Sequence, residues 1–332
     1  MEVRQFRYYL AIVDSGSLSR AAQHLFVAQS ALSRQVAELE AELGVRLLLR
    51  GRTGVTMTEA GRVFYEYAQG ITKQIVDAQA AVHLSAEAVT GSVVVALPQS
   101  TTAMLALPLL RAARRRYPNI AFQLNEELTG NMTDQLLRGR VDIAVFTDRM
   151  PAEDVSFAPL IEEDFVWLHA AGDPLAPPPG EVSLAQAMAR PLVMPGLAHG
   201  QCTRCVVDAV VEGAGHRMRV AAEVNSVQIV KSAVEAGLGP TILPLGLAQR
   251  EVQEGRLVAR RIACDAMVRT LGLCVSVHLP AGNAKRAICK LMAEVVGELC
   301  DSGQWPGARR IAPRRDPAAD ATAPRRFELS DG

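Results

Sequence analysis

Gln29, Ser30, Ser33 and Arg34 carry side chains suited to reading base edges, and they crowd one end of a helical pattern. A glutamine fits adenine N6 and N7, and an arginine fits guanine O6 and N7. Each good bidentate pair is worth about 1–3 kcal/mol of discrimination. The serines can donate to phosphates or bases, and a helix N-terminus itself favours an anionic phosphate. Arg50, Arg52 and Thr53, set about Gly51 and Gly54, would lie against a nucleic-acid backbone or in a minor groove. Alone, Gln29 reads best as a solvated helix position; with its flanking pattern it reads as a DNA contact.

A second constellation suits a small anion. Ser100, Thr101 and Thr102 follow an apolar strand and open a helix, where hydroxyls and N–H groups meet the positive helix end. Thr129 and Thr147 follow other strands. Ligands of α/β sheets sit beyond the carboxyl ends of strands, so these residues should converge on one cleft. Simple N-capping by Ser100 or Ser226 is an equally good reading of each alone. A small carboxylate is the expected ligand.

His199-x-x-Cys202-x-x-Cys205 invites a metal, but a closed zinc site wants four ligands and a second close pair is missing. Cys264, Cys274, Cys289 and Cys300 are scattered on apolar elements, where thiols act as small hydrophobes. Arg204 could lower a neighbouring thiol pKa, which leaves redox sensing as a minor alternative. No P-loop, G-x-G-x-x-G or nucleophile–base set is present, so neither an enzyme nor a cofactor is expected.

The elements that must position these groups follow from periodicity. Phe6, Tyr9, Leu10 and Val13 form one helical stripe. Ser17 caps a second helix, Leu18 to about Phe26. A third runs from about Ser30 to Leu43, with Leu32, Val36, Leu39 and Leu43 inward and Gly44 at its end. Two helices across a tight turn make a helix-turn-helix. The pieces Val45–Arg50 and Val55–Met57 form a hairpin wing. From Thr58 a long helix reaches about Ala88, with Phe64, Ala68, Ile71, Ile75, Ala78 and Val82 as a seam for a partner helix. Beyond Gly91, strands and helices alternate, which predicts parallel α/β sheets in two lobes. The division expected is 1–58, 59–89, 90–300 (one lobe about 90–161 and 266–300, the other about 162–265) and a tail at 301–332.

The 332 residues hold Lys+Arg 35 and Asp+Glu 35, a net charge of zero that excludes bulk polycationic attraction. Residues 17–57 nevertheless carry five arginines against three glutamates. The prolines, arginines and few apolar residues after Asp301 predict a disordered tail. No apolar run reads as an export signal or a membrane span, so a cytoplasmic protein is expected.

Phe6-Arg7-Tyr8-Tyr9-Leu10, Gly16-Ser17-Leu18-Ser19-Arg20-Ala21-Ala22, Ala28 to Val36, Leu39-Glu40, Leu43-Gly44 and Thr58-Glu59-Ala60-Gly61 resemble the signature of LysR-type transcriptional regulators. Gly130, Leu136-Leu137, Gly139, Val141-Asp142-Ile143-Ala144 and Val234, Gly237, Gly239, Leu243-Pro244 extend the resemblance to about residue 300. Within the family the chain looks most like the nitrogen-assimilation-control branch. It departs from the usual pattern at Ser30, where proline is common, and in its long tail. The resemblance implies a winged helix-turn-helix, a dimerising linker helix and an effector domain like periplasmic solute-binding proteins. It places His199, Gly200, Gln201, Ser226 and Val227 on the lobe opposite Ser100. The partners implied are double-stranded DNA at a pseudo-palindromic promoter site, a small-molecule effector, RNA polymerase and three further copies of the chain in a dimer of dimers. The alternative is a cytoplasmic solute-binding or redox-sensing protein of the same α/β fold.

Overall fold

The computed structural model describes residues 1–51, 54–82, 89–127, 129–147, 154–196 and 202–311. The chain divides into two compact units, one essentially residues 1–86 and the other the remainder.

In the first unit, α1 (Val3–Ser15), α2 (Leu18–Leu25) and α3 (Gln29–Leu43) pack around Tyr9, Ile12, Ala21, Ala22, Leu32, Val36 and Leu39. The inward face of α1 is Gln5, Phe6, Tyr9 and Ile12; Leu10 and Val13, expected on the stripe, are only half-buried. Ser17 caps α2 by accepting from the Arg20 N–H. Gly44 closes α3 in the left-handed conformation that costs a glycine little. β1 (Leu48–Gly51) and β2 (Gly54–Met57) pair antiparallel as the wing, while Arg52 and Thr53 at its tip lie outside the described residues.

Helix α4 (Glu59–Val82) begins at Thr58, whose hydroxyl donates to the Arg46 carbonyl at 2.7 Å and accepts from the Gly61 N–H at 2.9 Å. A Cβ on Gly61 would stand 2.1 Å from the Leu47 carbonyl oxygen, so only glycine allows this approach. Twenty-four residues give a helix of about 36 Å. The expected seam divides. Phe64 packs on Phe6 and Tyr9, and Ala68 is fully buried within the chain. Ile71, Ile75 and Ala78 retain exposed surface, and the side chain of Val82 lies outside the described set.

The second unit is built on β3 (Gly91–Pro98), α5 (Gln99–Arg116), β4 (Ile120–Glu127), α6 (Thr129–Leu137), β5 (Ile143–Thr147) and β6 (Val155–Ala170). β7 (Val182–Ser183), α7 (Leu184–Met188), β8 (Leu192–Pro195), α8 (Cys202–Gly213), β9 (Val220–Val224) and α9 (Val227–Glu235) follow. Then come β10 (Thr241–Pro244), a 3-10 turn at Leu245–Ala248, α10 (Gln249–Gln253), β11 (Leu257–Ala263), β12 (Val268–Ser276), α11 (Asn283–Asp301) and β13 (Ala308–Arg310).

Two lobes result, each with apolar clusters on both faces of its sheet. The parallel expectation holds only in part. β3 pairs parallel with β4 and β5, and β8 with β9. The 16-residue β6 is antiparallel to β10, β11, β12 and β13, so the sheet is mixed. β6 serves both lobes: its first half pairs with β12 and its second with β11. The register slips at Leu271/Gly272, where a Cβ on Gly272 would meet the Ala158 carbonyl oxygen at 2.5 Å.

The tail expectation needs a correction. Residues 302–311 are ordered against β6, because Trp305 is buried in the first lobe's core and Arg309 pairs with Glu162 and Asp164. The indole alone removes enough apolar surface to offset the ordering of several residues. Residues 312–332 lie outside the described residues. Among the described residues, no helix is long and apolar enough to cross a membrane.

Candidate nucleic-acid interface and effector cleft

Helix α3 starts at Gln29, one residue before the expected first residue, with Ala28 in extended conformation at its N-cap. Ala28, Gln29, Ser30 and Ala31 are all exposed, while Leu32 turns into the core. The Ser19 hydroxyl donates to Gln29 Oε1 at 2.9 Å, which orients the amide from the neighbouring helix. Ser33 accepts from Arg50 Nη1 at 2.7 Å, so the wing and the recognition helix are linked by one charge-assisted bond. Arg34 is 80% exposed and donates through Nε to Glu38 at 2.7 Å, one turn on. Glu38 therefore reaches back towards the reading end. An exposed i,i+4 pair of this kind is worth only a few tenths of a kcal/mol, so the guanidinium is easily exchanged to another partner.

The remaining acid of this helix with a clear task is Glu40. Its Oε1 accepts from the N–H groups of Leu47 and Leu48 at 2.7 and 2.9 Å, fixing the start of the wing. Tyr9 donates to the Gly61 carbonyl at 2.9 Å, and burial, reinforced by Glu40, pushes its phenol well above the usual range. Phe26 is the residue at the turn that periodicity does not mark. It leaves α2 at φ 54 and exposes 96% of its surface beside the start of α3.

The C-terminal candidates are more firmly held. Ser100 and Thr101 are buried at the start of α5, and Thr147 is buried at the end of β5. Thr101 and Thr102 donate to the Pro98 carbonyl at 3.1 and 3.2 Å. Ser226 caps α9 by accepting from the Ile229 N–H, and Val227 is half-buried. The side chain of Thr129 and all of His199, Gly200 and Gln201 lie outside the described residues.

Ser100 has a partner that spacing does not reveal. Arg269 on β12, fully buried, donates to its hydroxyl at 2.9 Å and to its carbonyl at 3.2 Å. The same guanidinium reaches Thr203 on α8 at 3.2 Å and Glu163 on β6 at 2.6 and 2.8 Å. Trp305 Nε1 donates to the other Glu163 oxygen at 2.8 Å. Glu163 is 106 residues from Arg269 and 142 from Trp305, a separation no local pattern encodes.

A recess of about 320 Å3 opens beside Cys264 and Met267, but its arginines, Arg261 and Arg309, are already paired with acids. Burial raises the thiol of Cys289 to about 12 and that of Cys300 to about 11, which suppresses thiolate chemistry. Among the described residues, no cluster of His, Cys, Asp or Glu could hold a metal ion.

Comparison with known proteins bears on both parts. The family model of the bacterial regulatory helix-turn-helix protein, lysR family, matches residues 3–62. That of the LysR substrate binding domain matches residues 86–297. The nitrogen assimilation regulatory protein nac of Escherichia coli K12 is 31% identical over 308 residues, covering 92% of this chain and 99% of the relative. The HTH-type transcriptional regulator BbuR of Bordetella bronchiseptica is 27% identical over 302 residues, covering 89% and 90%. Among solved structures, full-length OxyR from Pseudomonas aeruginosa superposes with a TM-score of 0.69 at 21% identity, covering 96% of this chain and 99% of that one. CbnR complexed with its target DNA gives 0.64 at 22% identity, covering 89% and 99%. These two likenesses establish the fold. With both family models matched in order along one chain, the protein belongs to the LysR family of transcriptional regulators.

Proposed function

We propose that this regulator reads a pseudo-palindromic promoter site through Gln29, Ser30, Ser33 and Arg34 of α3. Arg50, Arg52 and Thr53 of the wing would hold the backbone or minor groove. The observation that carries this reading is the exposed start of α3, tied to the wing by the Arg50–Ser33 bond. Recognition helices use this end to contact base edges, and dimers space two of them by whole helical turns. The exposed apolar residues Val63, Tyr67, Ile71 and Val76 of α4 supply a surface for a second copy, and two such dimers would make the active tetramer. The setting is the bacterial cytoplasm, with RNA polymerase as the downstream partner and no catalytic step. Ser100, Thr147 and Ser226 are assigned to the effector site, with a small carboxylate as its ligand, and the family resemblance adds His199, Gly200 and Gln201.

Arg34→Ala tests the DNA reading. Specific affinity should fall by the value of one bidentate contact, and base preference should relax at one position of each half-site. Unchanged affinity and footprint in that variant would overturn the assignment.

A further inference from the structure

The guanidinium of Arg269 has five N–H donors, and all five are engaged by the chain itself. Nε and one Nη2 hydrogen meet Glu163 Oε2, the second Nη2 hydrogen meets the Ser100 carbonyl, and Nη1 divides between the hydroxyls of Ser100 and Thr203. Ser100 lies in the first turn of α5 and Thr203 in the first turn of α8, so two helix starts fix the guanidinium plane. The outcome is three donors, two from Arg269 and the Trp305 indole, aimed at a single buried carboxylate. That is a built receptor for a carboxylate, buried where β6 passes from one lobe to the other.

We infer that Glu163 is a tethered ligand: Arg269 and Trp305 form a carboxylate site at the junction of the lobes, and the chain fills it with its own side chain. The strap carrying Trp305 governs how firmly the ligand is held. It is pinned by β13 pairing on β6 and by Arg309 to Glu162 and Asp164. A diffusible carboxylate gains these donors only by displacing Glu163, which takes the acceptor from the Trp305 indole N–H and leaves the strap held by its core packing, β13 and Arg309. The inference deepens the proposed effector reading by naming the group any acidic effector must compete with. It differs from a merely structural ion pair in one respect: an emptied receptor should rebind a small carboxylate in trans.

The test uses the full chain labelled with nitrogen-15. Its two tryptophans, Trp167 and Trp305, give two indole signals, assigned with W305F. Glu163→Ala should lower Tm by roughly 10 °C, because it strands a buried guanidinium. Formate in the tens of millimolar should then restore several degrees, saturably, and return the Trp305 indole signal towards its wild-type position. The E163A/R269M double variant should show neither response. Absence of rescue in E163A, or equal rescue in the double variant, would overturn the proposal. Should E163A fail to fold alone, it is refolded in formate and in chloride of equal ionic strength: recovery of the folded chain in formate only supports the proposal, and equal failure in both overturns it. DNA retardation is measured separately, so failure of the promoter reading leaves the rescue result intact.

Discussion

The polar residues at the start of α3 and those around Glu163 are held in opposite ways. Arg34 is largely exposed, with one exchangeable partner on its own helix. Arg269 is fully buried and satisfied by groups from three other elements and the Ser100 backbone. The contrast follows from what each surface must do. On the proposed reading Arg34 must shed its partner cheaply to reach DNA, and it stands in water, where an ion pair is worth little. A buried arginine cannot be left partly satisfied, because desolvation makes every missing bond costly. The first arrangement suits exchange with many sequences; the second suits a fixed geometry between lobes.

The sharpest way to break this comparison is Arg269→Met. It strands Glu163 in a dry site and should cost about 3–5 kcal/mol, read from chemical unfolding of the intact chain. A loss below about 1 kcal/mol would show the pair to be no better held than one on the surface. Arg34→Ala should do the reverse, costing about 1–3 kcal/mol of specific DNA affinity and less than about 0.5 kcal/mol of stability. Ser17→Ala removes the cap of α2, whose bond to the Arg20 N–H is long at 3.5 Å, so a thermal loss near the low end of about 0.5–2 kcal/mol is expected.

The smallest effect concerns His169, buried in the second lobe and donating through Nδ1 to the Ala170 carbonyl at 2.8 Å. Burial holds its pKa below the ordinary 6.5, against opposing contributions from that carbonyl and Asp173. The unfolded chain therefore takes up the proton first. The stabilising contribution is complete above about pH 6.5 and is lost as pH falls from there towards the folded value. His169→Asn should flatten this part of the stability–pH curve, and an unaltered slope would remove His169 as its source.

The first unit was the more legible in the residues because its determinants are local. Ser17, Gly44 and the Leu32/Val36/Leu39 face mark helix ends and sides within a few positions, and the structure places them accordingly. Tertiary contact displaced even some of these, burying Ile12 where Leu10 and Val13 were expected. In the second unit the strand–helix alternation was readable, but not the direction of the strands. In the first half of β6, Val155–Glu163, the buried residues Val155, Ser156, Ala158, Ile161 and Glu163 do not follow a two-residue period, and Pro159 interrupts the run. Trp305 falls in the stretch after Asp301 expected to be disordered. Its burial depends on Glu163 and on the core beneath α5 and α11, both remote in sequence. The exposed candidates of the DNA face were likewise readable from type and spacing, whereas Arg269, Glu163 and Thr203 came together only through the sheet.

The long strand β6 has a consequence for synthesis on the ribosome. Every strand it pairs with, β10, β11, β12 and β13, is made after it. The first of these begins about 70 residues downstream of Ala170, or roughly 4–14 s at bacterial elongation speeds. During that interval Phe165-Val166-Trp167-Leu168 leaves the exit tunnel as an apolar edge with unpaired amides and no cognate neighbour. The nascent chain is then open to holdase chaperones and to pairing with another nascent copy, and it closes only as the final third of the protein emerges.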